Sequence, residues 1–416
     1  MKVLLLPAYF KPEIAASGYL STNRNEAFAA AGFDMLVYTP VPTRGVSEEV
    51  RKIYEKRREE HLYNGRMKVL RFPLIREGKN PLQRTLRYVM SAFKQYWWAT
   101  HSQEAKQCDV MLVASTPPIQ GAMAALVKKR THIPFVYNLQ DIFPDSLVGT
   151  GLAKKGGLLW RVGRVIENFT YRNADKIIVI SQDFKRNIIA KGVPEEKIEV
   201  IYNWVDEQAV KEVKREDNIL FDRYGLDRNK FYVTYCGNIG LTQNMDMLMG
   251  VAKELETEKG IHFVLVGNGA YKEELEKEIA SRNINNVTLL PFQPYEEISH
   301  VFSLGDVGLV ISKPGVGENS VPSKTWSIMS ASRPVLASFD ENELKEIIEK
   351  YDCGYFTAAG DKESFKKAIL SLYGDRERCC RLGRNGRKFV IDNLTREVGT
   401  SKYVKVIQDV VKASTN

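Results

Sequence analysis

"VGLVISKPGVGENSVPSKTWSIMSASRPVLAS" (residues 307–338) contains, in order, an apolar strand, a glycine-containing loop, a helix and a second apolar strand. Both strand patterns are continuous rather than alternating, which is typical of parallel strands covered by helices on both faces. Pro322 suits the first turn of the helix, and Ser320 or Ser323 can accept a bond from the free N–H groups there. Lys324 is unusual, because a cation beside a helix N-terminus is unfavourable unless an anion also binds there. The stretch therefore predicts one half of an anion site.

Short apolar runs rich in Val, Ile and Leu recur along the whole chain. In the first half they occupy residues 2–10, 35–40, 110–116, 134–140, 176–181 and 198–203. In the second half they occupy residues 231–240, 261–269, 287–292, 307–312, 334–338 and 353–357. This pattern predicts an α/β protein with two doubly wound, Rossmann-like domains that face each other across a cleft.

The expected boundaries follow from the same pattern. We expect an N-terminal domain over residues 1–204, a second domain over 205–385, and C-terminal helices over 386–416 that return to the first domain. Residues 205–230 are charged and poor in long apolar runs, so we place the linker there.

Composition narrows the class of protein. The five cysteines of this 416-residue chain show no paired spacing, which favours a reduced, cytoplasmic protein. No run of ~18 apolar residues is present, so we expect no membrane-spanning helix. The net charge of +9 is concentrated in the first half, most strongly in residues 51–130. Such a basic region indicates an anionic partner: nucleic acid, anionic lipid or a phosphorylated substrate.

The ends of the predicted strands in the second half carry residues suited to a nucleotide. In open parallel sheets, ligands bind beyond the carboxyl ends of the strands. Gly237 and Gly240 follow one strand and Gly267 follows the next, where glycine lets backbone approach a ligand closely. Phe292 and Gln293 end a third strand and could flank a flat ring. Together with the helix start at Lys324, four consecutive strand ends predict a site for a nucleoside diphosphate.

These motifs resemble the donor domain of the family 4 retaining glycosyltransferases of GT-B architecture. The motifs that carry the resemblance in the second half are CGNIG (236–240), LVGNG (265–269), LLPFQPYEEI (289–298) and the stretch 306–338. Those in the first half are YFKPEIAASGYL (9–20), YNLQDIFPDSLVGTGL (137–152) and the segment 174–206. The resemblance spans nearly the whole chain. It is strongest to bacterial enzymes that build O-antigen, colanic acid and capsule, including fucosamine transferases.

The resemblance implies a UDP-sugar in the second domain and an acceptor in the first. The implied donor-binding residues are Gly237, Asn238, Gly240, Gly267, Asn268, Phe292, Gln293, Lys313, Ser320, Pro322, Ser323 and Ser327. The implied acceptor-binding residues are Glu13, Gly18, Tyr19, Gln140 and Asp145, and the implied catalytic residues are Asp141, Lys324 and Glu318.

The chain departs from the family pattern at several of these positions. Asn238 and Gln243 are neutral where the family usually carries Arg and Lys. Ser327 stands where a ribose-binding Glu is usual, and Gln140 stands where His is usual. Lys324 and Lys313 are then the cations expected to balance the leaving diphosphate.

The expected mechanism needs neither a cofactor nor a metal ion. No Asp-x-Asp motif occurs, and the five histidines lack ligand spacing. Backbone dipoles and Lys324 would stabilise the leaving group. Since no second carboxylate suited to a covalent intermediate stands out, the resemblance favours front-face substitution, with Asp141 orienting the acceptor hydroxyl.

Residues 79–103 combine basic and aromatic residues and predict an amphipathic helix. Leu82, Leu86, Val89, Phe93, Tyr96 and Trp97 form its apolar stripe, and the residues expected to contact membrane are Arg84, Arg87, Lys94, Trp97 and Trp98. Such helices lie in a membrane interface, and the basic charge favours an anionic leaflet. We therefore expect a peripheral protein on the inner face of the plasma membrane, with an acceptor sugar linked to undecaprenyl diphosphate. Packing of this helix on the protein's own sheet stays open.

Three other functions are compatible with parts of the pattern. A UDP-sugar 2-epimerase has the same two-domain architecture but needs no acceptor. A degenerate transferase that serves as a scaffold is suggested by the neutral Asn238, Gln243 and Ser327. Nucleic-acid binding is disfavoured, because the aromatic residues cluster in one helix instead of alternating with Lys and Arg along a sheet.

Overall fold

The chain forms two structural units. The computed structural model describes residues 1–13, 18–78, 80–149, 154–317 and 322–415. The first unit comprises Met1–Tyr202 and the chain from Gly399 onward, and the second unit comprises Asn203–Val398. Two residues of the predicted site, Glu318 and Ser320, lie outside the described residues.

The first unit is built on an eight-stranded sheet within the described residues. Its strands are β1 (Lys2–Leu5), β2 (Asp34–Pro40), β3 (Glu59–Leu62), β4 (Met67–Phe72), β5 (Val110–Ala114), β6 (Phe135–Leu139), β7 (Lys176–Val179) and β8 (Ile198–Val200). Its helices are α1 (Gly18–Ala30), α2 (Glu48–Lys56), α3 (Pro81–His101), α4 (Gln103–Lys106), α5 (Ile119–Thr131), α6 (Asp145–Gly149), α7 (Leu158–Asn173) and α8 (Gln182–Ala190). The strand order is β3-β4-β2-β1-β5-β6-β7-β8, and all pairs are parallel except β3 with β4.

The second unit carries a six-stranded, fully parallel sheet. Its strands are β9 (Phe231–Cys236), β10 (Ile261–Val266), β11 (Val287–Leu290), β12 (Val307–Ile311), β13 (Val335–Phe339) and β14 (Gly354–Ala358). Its helices are α9 (Ile219–Tyr224), α10 (Met245–Glu254), α11 (Lys272–Ser281), α12 (Ile298–Phe302), α13 (Lys324–Ser330), α14 (Glu343–Lys350), α15 (Lys362–Gly374) and α16 (Arg376–Asn393), followed by α17 (Arg396–Thr415). In the order β11-β10-β9-β12-β13-β14, the winding direction reverses between β9 and β12. The prediction of two doubly wound sheets is confirmed.

Continuous apolar runs located twelve of these strands, and the hairpin of β3 and β4 was not predicted. The sequence MKVLRF of β4 is interrupted by the charged residues Lys68 and Arg71, so it is not a continuous apolar run. The pair lies at one end of the sheet order. Among the described residues, no helix is long and apolar enough to cross a membrane.

The prediction of a linker at residues 205–230 is wrong. Charged residues in this segment bind within the second unit, since the Arg215 guanidinium pairs with Asp306 at 2.6 Å and donates to the carbonyl of Lys230 at 2.7 Å. Val210 and Phe221 from the same segment are buried. High charge therefore reflects internal ion pairs here, and the unit boundary falls earlier, between residues 202 and 203.

The last helices do not leave the second unit at residue 386 as predicted. Gly383 and Gly386 let α16 approach the backbone around α13, because a Cβ on Gly383 would lie 2.1 Å from the Ser332 carbonyl oxygen. Of the predicted C-terminal helices, only the part from Gly399 onward belongs to the first unit. There the buried Tyr403 hydroxyl donates to the Asn138 side-chain oxygen at 3.0 Å.

This close packing predicts the effect of a single methyl group. Gly383→Ala should lower the free energy of unfolding by about 1–3 kcal/mol, because the added Cβ cannot fit against the Ser332 carbonyl. Gly374→Ala is the matched control, since nothing lies within 4 Å of a Cβ there and alanine is favoured in a helix by up to about 1 kcal/mol. Thermal unfolding of the two variants measures the difference. Equal stability of the two variants would contradict the packing of α16.

Candidate active site

Two glycine loops pack backbone to backbone at the carboxyl ends of β9 and β10. Gly237 (φ 135°) and Gly267 (φ 156°) adopt backbone conformations that favour glycine. A Cβ on Gly267 would lie 1.9 Å from the Gly237 carbonyl oxygen, and one on Gly269 would lie 2.2 Å from that of Ile239. The Ile239 N–H also donates to the Asn268 carbonyl at 2.9 Å. The predicted glycine motifs therefore form one rigid edge.

Lys324 reaches this edge from the start of α13. Its Nζ donates to the Tyr235 hydroxyl at 2.7 Å and lies 3.9 Å from the centre of that ring. A Cβ on Gly237 would be only 3.2 Å from the same nitrogen. The Tyr235 hydroxyl in turn donates to the Asn238 carbonyl at 2.6 Å. Lys324 and the glycine loop are thus linked through one tyrosine.

The ammonium group of Lys324 is desolvated. Burial lowers the pKa of Lys324 to about 8. Within the part of the chain that the structure describes, Lys324 forms no ion pair. A bound anion would replace lost hydration and favour the charged form, so the site is electrostatically suited to a diphosphate.

The start of α13 differs from the prediction. Ser323 has helical dihedral angles (φ −57°, ψ −26°) and its side chain makes no capping bond. A capping hydroxyl needs an extended residue before the helix, so Ser323 is not the cap, and Ser320, the other predicted candidate, lies outside the described residues. Pro322 precedes the helix rather than lying in its first turn, and its carbonyl accepts the Thr325 N–H at 2.9 Å.

The loop between β12 and α13 is held by residues that follow β13. The Asp340 carboxylate accepts the Gly315 N–H at 2.9 Å and the Gly317 N–H at 2.7 Å. Asn342 donates from its side-chain amide to the Gly317 carbonyl at 3.0 Å. Sequence reasoning missed both residues, although the polar run after the strand at 335–339 marks the same edge of the sheet. They hold residues 315–317 in place after β12.

Two further polar residues complete the edge at the point where the sheet winding reverses. The Lys313 N–H donates to the Thr242 carbonyl at 2.8 Å, which joins the loop after β12 to the loop after β9. Gln243 accepts the Gly240 N–H at 3.1 Å with its side-chain oxygen. The neutral Gln243 therefore holds the glycine loop. Ser327 lies half-buried on α13.

Phe292 and Gln293 follow β11 with opposite exposures. The Phe292 side chain is 75% exposed. Gln293 is buried, and its amide binds the Arg223 guanidinium at 3.1 Å, the Tyr224 hydroxyl at 2.9 Å and the Pro291 carbonyl at 2.6 Å. The hydrogen-bonding groups of the Gln293 side chain are thus used inside the protein. A ligand at Gln293 would therefore bind its backbone.

In the first unit, Glu13 joins two loops rather than lying free in solvent. Its carboxylate accepts the backbone N–H groups of Thr43 at 2.8 Å, Arg44 at 3.0 Å and Phe10 at 3.1 Å. Burial raises the pKa of Glu13 although these bonds favour the charged form. Gly18 opens α1, and Tyr19 is exposed beside it.

The second predicted acceptor loop follows β6. Asp141 accepts the Ser146 hydroxyl at 3.1 Å, and desolvation raises the pKa of Asp141. Gln140 donates to the Asn138 side chain at 2.8 Å. Asp145 forms an ion pair with Lys191 at 2.7 Å; burial opposes its ionisation, but the Lys191 ammonium group holds the pKa of Asp145 below its usual value. Asp145 therefore helps to hold α6.

Two of the predicted membrane residues of α3 face the interior of the first unit. Arg87 is 0% exposed and donates to the Thr43 hydroxyl at 3.0 Å, so its predicted lipid contact is wrong. Trp98 stacks on the Tyr38 ring at 4.1 Å and packs against the core, so its predicted lipid contact is also wrong. Helical periodicity turns both side chains inward, towards the sheet.

The outer face of α3 keeps the remaining predicted residues. Trp97 is exposed. Arg84 is partly exposed and pairs with Glu77 at 3.4 Å, and Lys94 donates to the Pro73 carbonyl at 2.8 Å. The apolar side chains exposed on this helix are Leu82, Leu86, Val89, Phe93 and Trp97. Tyr96 packs against the core instead.

Solved structures share this two-sheet architecture. The crystal structure of Anabaena HepE in complex with UDP superposes with a TM-score of 0.72 at 18% identity, and the match covers 98% of this chain and 100% of that chain. The glycosyltransferase WaaG, involved in lipopolysaccharide biosynthesis, superposes with a TM-score of 0.65 at 13% identity, covering 98% and 99%. The fold is therefore that of the two-domain GT-B glycosyltransferases.

Family models match both units. Residues 25–204 match the glycosyl transferase 4-like domain, and residues 216–389 match the glycosyl transferases group 1 domain. The chain therefore belongs to the glycosyltransferases that combine these two domains. It is 28% identical to the colanic acid biosynthesis glycosyl transferase WcaI of Escherichia coli K12, over 84% of this chain and 86% of that protein. It is 26% identical to the glycosyltransferase WbjE of Pseudomonas aeruginosa, over 72% and 74%. The predicted GT-B glycosyltransferase family of bacterial polysaccharide biosynthesis is confirmed, and the likeness to fucosamine transferases stays a prediction.

The loop held by Asp340 yields a second prediction. Asp340→Asn leaves one oxygen to accept two N–H groups, so hydrogen–deuterium exchange across residues 313–317 should become about tenfold faster, which corresponds to one lost charge-assisted bond. Glu341→Gln is the matched control, because Glu341 pairs with Lys345 on the surface. Exchange measured by mass spectrometry distinguishes them. Unchanged exchange in Asp340→Asn would show that the carboxylate does not hold this loop.

Proposed function

We propose that this protein is a retaining glycosyltransferase that moves a sugar from UDP to a lipid-linked acceptor during synthesis of a bacterial surface polysaccharide. The donor sugar is a hexose in N-acetylated or 6-deoxy form. The observation that carries the proposal is the position of Lys324, whose desolvated ammonium group lies beside Gly237 where the sheet winding reverses. The names of the relatives, which refer to colanic acid and lipopolysaccharide, support the pathway class.

The donor half of the reaction uses the second unit. The sugar C1–O bond to the diphosphate breaks, and the departing oxygen gains negative charge. Lys324, with Lys313 and the backbone around Gly237–Gly240, stabilises that charge without a metal ion. The Phe292–Gln293 backbone binds the base, and HepE in complex with UDP supports the choice of nucleotide.

The acceptor half uses the loops of the first unit. A new bond forms between sugar C1 and the acceptor oxygen, and the acceptor proton passes to the departing phosphate oxygen. This front-face route retains the anomeric configuration and needs no covalent enzyme intermediate. Asp141 orients the acceptor hydroxyl, since its carboxylate accepts the Ser146 hydroxyl and the Ile142 N–H but forms no ion pair among the described residues. Glu13 holds the loop around Thr43 and Arg44 through two backbone N–H groups, and Gly18 and Tyr19 bind the acceptor.

The acceptor sugar is carried on undecaprenyl diphosphate, and the protein binds peripherally to the inner face of the plasma membrane. The exposed apolar side chains of α3 support this location. A relative in Streptococcus pneumoniae, 25% identical over 50% of this chain, is named an alpha-galactosylglucosyldiacylglycerol synthase, which is a lipid-directed activity.

A transfer assay tests the function and the role of Lys324 together. Purified protein is incubated with radiolabelled UDP-sugars and a sugar on undecaprenyl diphosphate in detergent, with and without EDTA. We expect label in the lipid product, unaffected by EDTA. Lys324→Met should lower kcat at least about 100-fold, as loss of one preorganised charge at the leaving group implies. Lys345→Met, on a surface helix, is the matched control.

The pH dependence gives an independent readout. Since the pKa of Lys324 is lowered to about 8, kcat/KM should fall as the pH rises above 8, and Lys324→Arg should remove that descent. A kcat for Lys324→Met within threefold of the unmodified protein would refute the leaving-group role. Binding of UDP without transfer from any donor would favour the scaffold function, and epimerisation of UDP-N-acetylglucosamine without acceptor would favour the epimerase.

A further inference from the structure

Helix α7 exposes an apolar ridge that the sequence analysis did not single out. Its side chains are Leu158, Leu159, Val162 and Val165, which are 49–81% exposed. The buried residues of the same helix include Gly163 and Thr170. Val165 follows Gly163 by two residues, which is about 200° around a helix, so the ridge faces away from the core.

Helix α3 carries a second ridge of the same kind. Leu82, Leu86, Val89, Phe93 and Trp97 are 46–80% exposed and recur at intervals of three or four residues. Ser91 and Gln95 lie on the buried face, two residues before Phe93 and Trp97 respectively. This ridge therefore also faces away from the core.

The two ridges belong to one layer of helices. Helix α5 packs between α3 and α7. Gln120 on α5 donates to Gln95 on α3 at 2.8 Å, and a Cβ on Gly121 of α5 would lie 2.4 Å from the Thr170 methyl group of α7. Leu126 is exposed on α5 between the two flanking helices. The layer thus presents apolar side chains along both flanks and at its middle.

The charge of this layer is of one sign. Helices α3 and α5 contain no Asp or Glu, and α7 contains only Glu167, which is buried. The exposed basic residues on α5, before α7 and on α7 are Lys129, Arg130, Lys154, Lys155, Arg161 and Arg172. Apolar ridges flanked by cations, with no exposed carboxylate on the three helices, complement an anionic lipid surface.

We propose that α3 and α7 dock together on an anionic membrane, each ridge entering the headgroup region, with α5 between them. This inference rests on the proposed peripheral location. It adds a second lipid contact, on α7, which fixes the orientation of the first unit on the membrane. A second copy of this face is a poor occupant, because two surfaces of the same positive charge repel each other.

Vesicle sedimentation tests the two-ridge contact. The full chain is mixed with phosphatidylglycerol–phosphatidylcholine vesicles or with phosphatidylcholine vesicles alone. Leu158→Ser/Val165→Ser on α7 should lower partitioning onto the anionic vesicles about tenfold, and Leu86→Ser/Phe93→Ser on α3 should do the same. The combination should lower it about 100-fold. Ile53→Ser on α2, which is equally exposed but outside the layer, should change it less than twofold.

Two results would overturn the proposal that both ridges contact the membrane. Undiminished vesicle binding by the α7 variant, with binding lost in the α3 variant, would overturn the proposal. So would a change in molar mass of the α7 variant by light scattering, which would assign the ridge to self-association. Thermal unfolding confirms that each variant is folded. Vesicle binding requires no turnover, so a protein that binds vesicles without transferring sugar would refute the proposed function and leave this inference standing.

Discussion

The close approach of two glycine loops is the constraint on which the rest of the second unit depends. Because Gly267 and Gly269 have no Cβ, the backbone after β10 can lie directly against the backbone after β9. That contact fixes the Asn238 carbonyl, which holds the Tyr235 hydroxyl, which in turn receives the Lys324 ammonium group. A desolvated cation is costly, and it is held here by backbone geometry that no larger side chain would permit.

Around the predicted ligand loops of both units, polar side chains bind the backbone N–H groups of a neighbouring loop. Glu13 holds the loop around residues 43–44 in this way, and Asp340 holds the loop around Gly315. Gln243 satisfies the Gly240 N–H. Charged side chains that look like ligand contacts in the sequence are therefore partly used for positioning, whereas the Lys324 ammonium group lies beside Gly237 at the end of β9.

The sequence predicted the fold well because both sheets, apart from the β3–β4 pair, are parallel and buried, and continuous apolar runs mark such strands directly. The sequence-based prediction failed where charged or polar residues form contacts inside the protein. Arg215 pairs with Asp306 inside the second unit, so a charged segment resembled a linker. Strand β4 contains Lys68 and Arg71 and therefore lacked a continuous apolar run.

At the site, the glycine motifs could be predicted because few residues suit those conformations. The Thr43 partner of the buried Arg87 and the ion pair of Asp145 depend on contacts between distant parts of the chain, which local pattern does not encode. Asp340 was missed for the same reason, since its partners lie 23 and 25 residues away in sequence.

Proton uptake on binding UDP tests the central role of Lys324 most directly. At pH 8 a lysine with a pKa of about 8 is half protonated, so a diphosphate that stabilises the ammonium group should draw in about half a proton. Titration calorimetry in two buffers of different ionisation enthalpy measures this number. The account predicts an uptake near one half for the unmodified protein and none for Lys324→Met. Binding of UDP without proton uptake at pH 8, or with equal uptake in Lys324→Met, would contradict it.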